Sequence, residues 1–214
     1  MKNNLTEMVF IIDKSGSMAG YESDTLGGFN SMIERQRAVE GSAYVSTVMF
    51  SDDNEVIHDR VDIREVKPLT LEDYRVGGCT ALLDAIGSAI HHIGNVHKYA
   101  RPEDVPEHTV FVITTDGMEN ASHNFSAKKI KDKIKRQSEK FGWEFIFMAA
   151  NIDALETADR MGIRRERAMG YTQDHEGVRD SYRVMADAVC CMRADPQGFK
   201  DMDIKDIAKK KEDN

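Results

Sequence analysis

Met8-Val9-Phe10-Ile11-Ile12-Asp13-Lys14-Ser15-Gly16-Ser17 is the stretch that decides how this chain folds. The unbroken apolar run reads as a strand buried on both faces, and Asp-Lys-Ser-Gly-Ser reads as the loop that ends it. A carboxylate and two hydroxyls therefore fall on alternate residues, Asp13, Ser15 and Ser17, at the end of a strand. Hard oxygens on a tight loop suit a small hard cation such as magnesium. Ser17 also has a plainer role open to it, capping the helix that follows.

Strand-like and helix-like segments alternate outward from that point. Residues 25–38 carry Leu26, Phe29 and Ile33 at helical spacing, and residues 80–97 carry Leu82, Ile86, Ile90 and Ile93. Residues 43–61 read as two strands joined by Ser-Asp-Asp-Asn, a hairpin. Thr109–Thr115 and Glu144–Ala150 are near-continuous runs of buried-strand type. Between them residues 126–140 read as a helix with Ile130, Ile134 and Phe141 facing inward. A short helix over 153–161, an edge strand over 167–171 and a helix over 174–193 with Val178, Tyr182, Met185, Val189 and Met192 in a stripe complete the pattern. The alternation predicts a doubly wound α/β domain, a mostly parallel sheet with helices on both faces.

At 214 residues the chain suits one domain, expected to span 1–200, with a charged, flexible tail over 201–214. Its net charge of −8 argues against a general nucleic-acid binder. The three cysteines, Cys79, Cys190 and Cys191, have neither disulfide-framework nor zinc spacing, which points to a reducing compartment. The N-terminus lacks an apolar signal core and no run is long enough to span a bilayer, so a cytoplasmic protein without membrane attachment is expected.

In a doubly wound sheet, ligands bind beyond the carboxyl ends of the strands, where strand order reverses. That rule selects Asp13, Ser15 and Ser17 after the first strand, and Asp116 in Thr114-Thr115-Asp116-Gly117. It also brings in Gly77-Gly78-Cys79-Thr80, which places Thr80 at the start of a helix. Singly, Asp116-Gly117 is a turn and Thr80 an N-cap. Together the three loops offer two carboxylates and three hydroxyls, close to the oxygen count of a magnesium site completed by water. Gly78, Gly117, Glu119 and His123 are candidates for the groups standing behind those ligands.

These motifs, in this order, resemble the metal-ion-dependent adhesion site of the von Willebrand factor type A family. The resemblance covers residues from about 6 to about 170. Asp116-Gly117-Met118-Glu119-Asn120 and Asn151-Ile152-Asp153 are similar to the intracellular bacterial and phage members. It implies a Rossmann-like sheet with one antiparallel edge strand, which the 43–61 hairpin fits. It further implies that Ser15 and Ser17 bind the metal directly, and that Thr80, Asp13 and Asp116 bind it directly or through water. The ion would be magnesium, with manganese or calcium as substitutes. One coordination position would be open to an Asp or Glu carboxylate of a partner protein. The family's extracellular members carry secretion signals, disulfides or anchors, and none is visible here.

The chemistry can be argued independently. A cation held largely by neutral hydroxyls stays electrophilic, so a partner carboxylate can complete its shell. The expected function is a non-catalytic, metal-dependent protein-binding module. The alternative is a magnesium-dependent, phosphatase-like hydrolase on a similar sheet. That chemistry wants a nucleophilic Asp and a second acid two residues later, where this chain has Ser15, a poor general acid at neutral pH. A third reading is a metal that serves structure alone.

The 128–140 helix carries seven basic residues against Asp132 and Glu139. A solvated outer face is the plain reading, and docking of an acidic partner the sharper one. His91 and His92, adjacent on a helix, diverge by about 100° and cannot chelate together. Cys79 is expected to be a small buried residue.

Overall fold

The first strand, β1 (Leu5–Asp13), lies at the middle of a six-stranded sheet. In this computed structural model, which describes residues 4–209, the other strands are β2 (Ser42–Phe50), β3 (Asn54–Asp62), β4 (His108–Thr115), β5 (Glu144–Ala149) and β6 (Ala168–Gly170). Their order is β3-β2-β1-β4-β5-β6, parallel throughout except for β3, which runs antiparallel to β2 at the edge. The chain winds outward from β1 to one edge, then returns to β4 on β1's other side. The strand order therefore reverses between β1 and β4, the crevice position for a ligand in such sheets.

The helices are α1 (Glu22–Arg37), α2 (Leu82–Tyr99), α3 (Ala127–Phe141), α4 (Ala154–Met161), α5 (His175–Ala194), α6 (Pro196–Lys200) and α7 (Ile204–Lys209). Two cores form, one on each face of the sheet, because alternate strand side chains point to opposite faces. Met8, Phe10 and Ile12 of β1 pack with Phe29, Met32 and Ile33 of α1 and Met185 and Val189 of α5. Val9 and Ile11 pack with Ile86, Ile90 and Ile93 of α2, Ile130 and Ile134 of α3, and Ala158 and Met161 of α4. This double burial is why β1 and β4 read as apolar runs rather than alternations.

Helix starts and stops follow local chemistry. Ser126, Asp153 and Asp174 cap α3, α4 and α5 through their side-chain oxygens. Gly142 ends α3 in the left-handed region at φ 67, where a Cβ would be strained. The first turn of α2 has no such cap of its own. Glu119 Oε2 accepts from Leu83 N–H at 2.9 Å, and Ser122 Oγ accepts from Asp84 N–H at 3.0 Å. Asp84 answers by accepting the backbone N–H groups of His123, Asn124 and Phe125. The loop after β4 and the start of α2 are thereby locked together.

Three expectations need correction. Phe141 does not face inward; at the last turn of α3 it is 58 % exposed, and Trp143 fills the core place beside it. Cys79 is exposed, because the two glycines before it carry the loop over the surface. The segment from 201 is not a free tail up to Lys209. Ile204 and Ile207 of α7 are buried against the α5 side. Arg167, itself only 1 % exposed, holds this segment by donating to the carbonyls of Phe199 and Met202, while pairing with Glu144 at 3.0 Å. Residues 210–214 of the expected tail lie outside the described residues.

Candidate metal centre

β1 and β4 are hydrogen-bonded neighbours in register from Thr6–His108 to Ile12–Thr114, so the residues that follow emerge side by side. Asp13 is fully buried. Its Oδ1 accepts from Ser15 N–H at 2.7 Å, an Asx-type turn, and its Oδ2 accepts from Thr115 Oγ1 at 2.5 Å. Its backbone carbonyl accepts from the Tyr74 hydroxyl. The turn carries Ser15 Oγ to 3.2 Å from Ser17 Oγ, and Ser17 Oγ donates to Asp116 Oδ1 at 2.6 Å.

The glycine loop before α2 is strapped against this turn. Gly16 N–H donates to Gly78 O at 3.0 Å and Gly77 N–H to Lys14 O at 2.9 Å. Gly78 has φ +81, and a Cβ there would meet Asp52 Oδ2 at 2.0 Å, so only glycine lets the loop pass. Thr80 is held by Asn120, whose Oδ1 accepts Thr80 N–H at 2.9 Å and whose N–H donates to Thr80 O at 3.1 Å. A Cβ placed on Gly117 would stand 3.4 Å from Thr80 Oγ1 and 3.6 Å from Ser17 Oγ. All three loops thus converge beside Gly117, and the five oxygen-bearing residues picked out along the chain lie around one point.

Glu119 and His123 stand elsewhere. The Glu119 carboxylate is consumed by Leu83 N–H, Ala121 N–H, Ser122 N–H and Ser122 Oγ. His123 is exposed, and its backbone N–H, at 2.9 Å from Asp84 Oδ2, is what ties it down. Both belong to the lock on α2 rather than to the oxygen cluster.

Two residues outside the candidate set stand behind the cluster, Gln173 and the Asn151 of the Asn151-Ile152-Asp153 stretch. Gln173, in the loop between β6 and α5, donates to Asp116 Oδ2 and, at 2.9 Å, to Ser17 O. Its own carbonyl oxygen accepts from Asn151 Nδ2, which also reaches Asp116 O at 3.3 Å. Asn151 sits at φ 54, a left-handed conformation that asparagine tolerates better than most residues. The rule that selected the other loops covers these as well, since they follow β5 and β6 at the same edge.

Burial pushes the Asp13 carboxyl above its ordinary pKa, against the lowering effect of Ser15 and Thr115. Burial likewise raises Asp116, the Ser17 hydrogen bond opposes it, and the neighbouring Asp13 charge raises it further. Among the described residues neither carboxylate forms an ion pair, and Lys14, the nearest lysine in sequence, is committed to Glu55 at 2.5 Å. Two buried like charges without a counter-charge are costly alone, and a hard cation would compensate both. Among the described residues no three His, Cys, Asp or Glu side chains are arranged to hold a metal. A cation here therefore depends on the hydroxyls of Ser15, Ser17 and Thr80 beside the two carboxylates, and that all-oxygen set fits magnesium or manganese.

No protein-family profile matches the chain, and no curated protein matches it. Solved structures do. Proximal thread matrix protein 1 from the mussel byssus, with a zinc-occupied MIDAS motif, superposes with a TM-score of 0.59 at 14% identity, over 86% of this chain and 46% of that one. A von Willebrand factor type A protein from Catenulispora acidiphila gives 0.55 at 12% identity, over 85% and 42%. The fold is the von Willebrand factor type A fold. The ArnB paralog VWA2 from Sulfolobus acidocaldarius shares it, at a TM-score of 0.53 and 15% identity over 88% of this chain and 45% of that one. The chain thus spans less than half the length of these solved structures. At such identities the likeness is one of fold, a von Willebrand factor type A sheet with its antiparallel edge at β3. No helix among the described residues is long and apolar enough to cross a membrane.

Proposed function

We propose that this protein is a non-catalytic binding module that takes up a divalent cation, magnesium by preference, and uses it to grip a carboxylate of a protein partner in the cytoplasm. The observation that carries this reading is the pair of buried, unpaired carboxylates, Asp13 and Asp116, beside three hydroxyls at the β1/β4 reversal. The zinc-occupied motif in a protein of the same fold supports a divalent ion.

Asp13, Ser15, Ser17, Thr80 and Asp116 would hold the cation, which when bound supplies an electrophile for a partner's Asp or Glu. Thr115 and the Ser15 backbone hold Asp13 in one orientation, so its charge is presented without reorganisation. Gln173 does the same for Asp116. Ser17 is exposed while Asp13 and Ser15 are buried, so the cluster opens to solvent on the Ser17 side. A partner side chain approaches there.

Manganese offers a direct test. Isothermal titration should show one site, lost in Asp13→Asn, and water-proton relaxation from the bound ion should fall when a glutamate-containing peptide displaces water. Absence of metal binding, or turnover of a generic phosphate ester that disappears in Asp13→Asn, would overturn the reading.

A further inference from the structure

A second surface lies at the opposite end of the sheet. A groove of about 640 Å³ runs between the C-terminal halves of α2 and α3, within the size range of ligand sites, roughly 300–1,000 Å³. It exists because Gly94 of α2 has no side chain where α3 passes, leaving a gap above Trp143. Ile90, Trp143 and Pro106 supply an apolar floor, and Phe141, turned outward at the end of α3, supplies one wall. Lys98, Lys133 and Arg136 stand around it.

The charge of this groove runs against that of the molecule. The chain carries −8 overall, yet among the described residues no Asp or Glu lines the groove. Among the described residues none of its three cations forms an ion pair; Lys98 meets the Tyr99 hydroxyl, and Lys133 lies over the Phe125 ring. The cavity on the other flank of α3 is different: Glu139, Glu144 and Asp159 line it among its lysines and arginines. The basic character of the 128–140 helix is thus divided, partly offset by acids on the α4 side and not offset on the α2 side.

We infer that the α2/α3 groove docks an acidic segment of a partner protein that carries one apolar anchor side chain. The anchor enters the gap over Gly94 and Trp143, and flanking carboxylates meet Lys98, Lys133 and Arg136. Residues 90–98 of α2 present a trough about 12 Å long, which suits an extended chain. A polyanion such as nucleic acid is the less favoured occupant. It gains nothing from an apolar floor, and the net charge repels it.

Trp143 is the chain's single tryptophan and reports directly on this floor. The experiment titrates the full chain with a short Asp/Glu-rich peptide bearing a central Phe, the same peptide with a central Ser, and a single-stranded oligonucleotide of equal charge. Saturable change in Trp143 emission is expected with the Phe peptide, weakened at least tenfold by the Ser substitution and by Arg136→Glu. Gly94→Leu fills the gap; its Cβ alone would lie 3.4 Å from Gln137 Nε2 and 4.0 Å from Trp143. It should abolish binding while circular dichroism and melting stay those of a folded protein. No saturation at millimolar peptide, equal binding of the Ser peptide or the oligonucleotide, or full binding by folded Gly94→Leu would each overturn the proposal.

Discussion

Ser17 Oγ donates to Asp116 Oδ1 at 2.6 Å, tying together two loops that lie 99 residues apart in the chain. One hydroxyl thereby both positions a carboxylate and offers its own oxygen to the same space. We predict that Ser17→Ala weakens magnesium and manganese binding by roughly tenfold to a hundredfold, the range for groups that orient metal ligands. Ser17 is exposed, so the loss of fold stability should stay near the low end for a hydrogen bond to a charged group, about 1.5 kcal/mol. Calorimetric titration with unchanged affinity would place Ser17 outside the coordinating set.

Gln173 holds the other oxygen of Asp116 and, through Asn151, braces the loops after β5 and β6 against the centre. Gln173→Ala should lower metal affinity by about tenfold or more through loss of that orientation. The denaturation midpoint of the metal-free protein should move little, because the carboxamide is only half-buried. A large drop in metal-free stability with unaltered affinity would make Gln173 a structural brace alone.

Asp84 provides a pH prediction away from the metal centre. Burial pushes its carboxyl up, but the N–H groups of His123, Phe125 and Asn124 and the Asn124 side chain more than offset this, and the pKa lies below its ordinary value of 3.8. A depressed folded-state value contributes stability that is present above the unfolded value and lost as pH falls through the folded one. Urea midpoints of the native chain and Asp84→Asn should therefore differ at neutral pH, by about 1.5–3 kcal/mol. The gap should narrow as pH drops below 3.8. A gap that is constant down to strong acid would contradict the assignment of Asp84 as the charged cap.

Gly28 marks a close approach of α1 to α5. A Cβ there would stand 2.6–2.7 Å from Tyr182 atoms, and Tyr182 is buried in the core between the two helices. Helix propensity favours Gly28→Ala by up to about 1 kcal/mol, but overpacking typically costs about 1–3 kcal/mol. We expect net destabilisation in chemical denaturation; a more stable variant would show that Tyr182 can move aside freely.

The amino-acid sequence alone determined the order of strands and helices, the buried character of β1, β4 and β5, and the three loops that carry the oxygen-bearing residues. These are matters of local periodicity and of turn chemistry, which nearest neighbours in sequence impose. It could not show that Gln173 and Asn151 close the back of the site, since their partners in the loops after β1 and β4 come within reach only after β5 and β6 dock. Nor could it show that Glu119 turns away to cap α2, because a carboxylate goes to whichever unsatisfied N–H groups the fold brings nearest. Phe141, expected to face inward, and the segment from 201, expected to be a free tail, differ from expectation for a similar reason. Whether an apolar residue at a helix end is covered depends on its tertiary surroundings: Trp143 takes the core place and leaves Phe141 exposed, whereas the α5 face, with Arg167 holding the segment, covers Ile204 and Ile207. Spacing along the chain sets which residues share a face, but only tertiary packing decides which face is buried and which buried charges are left without a partner.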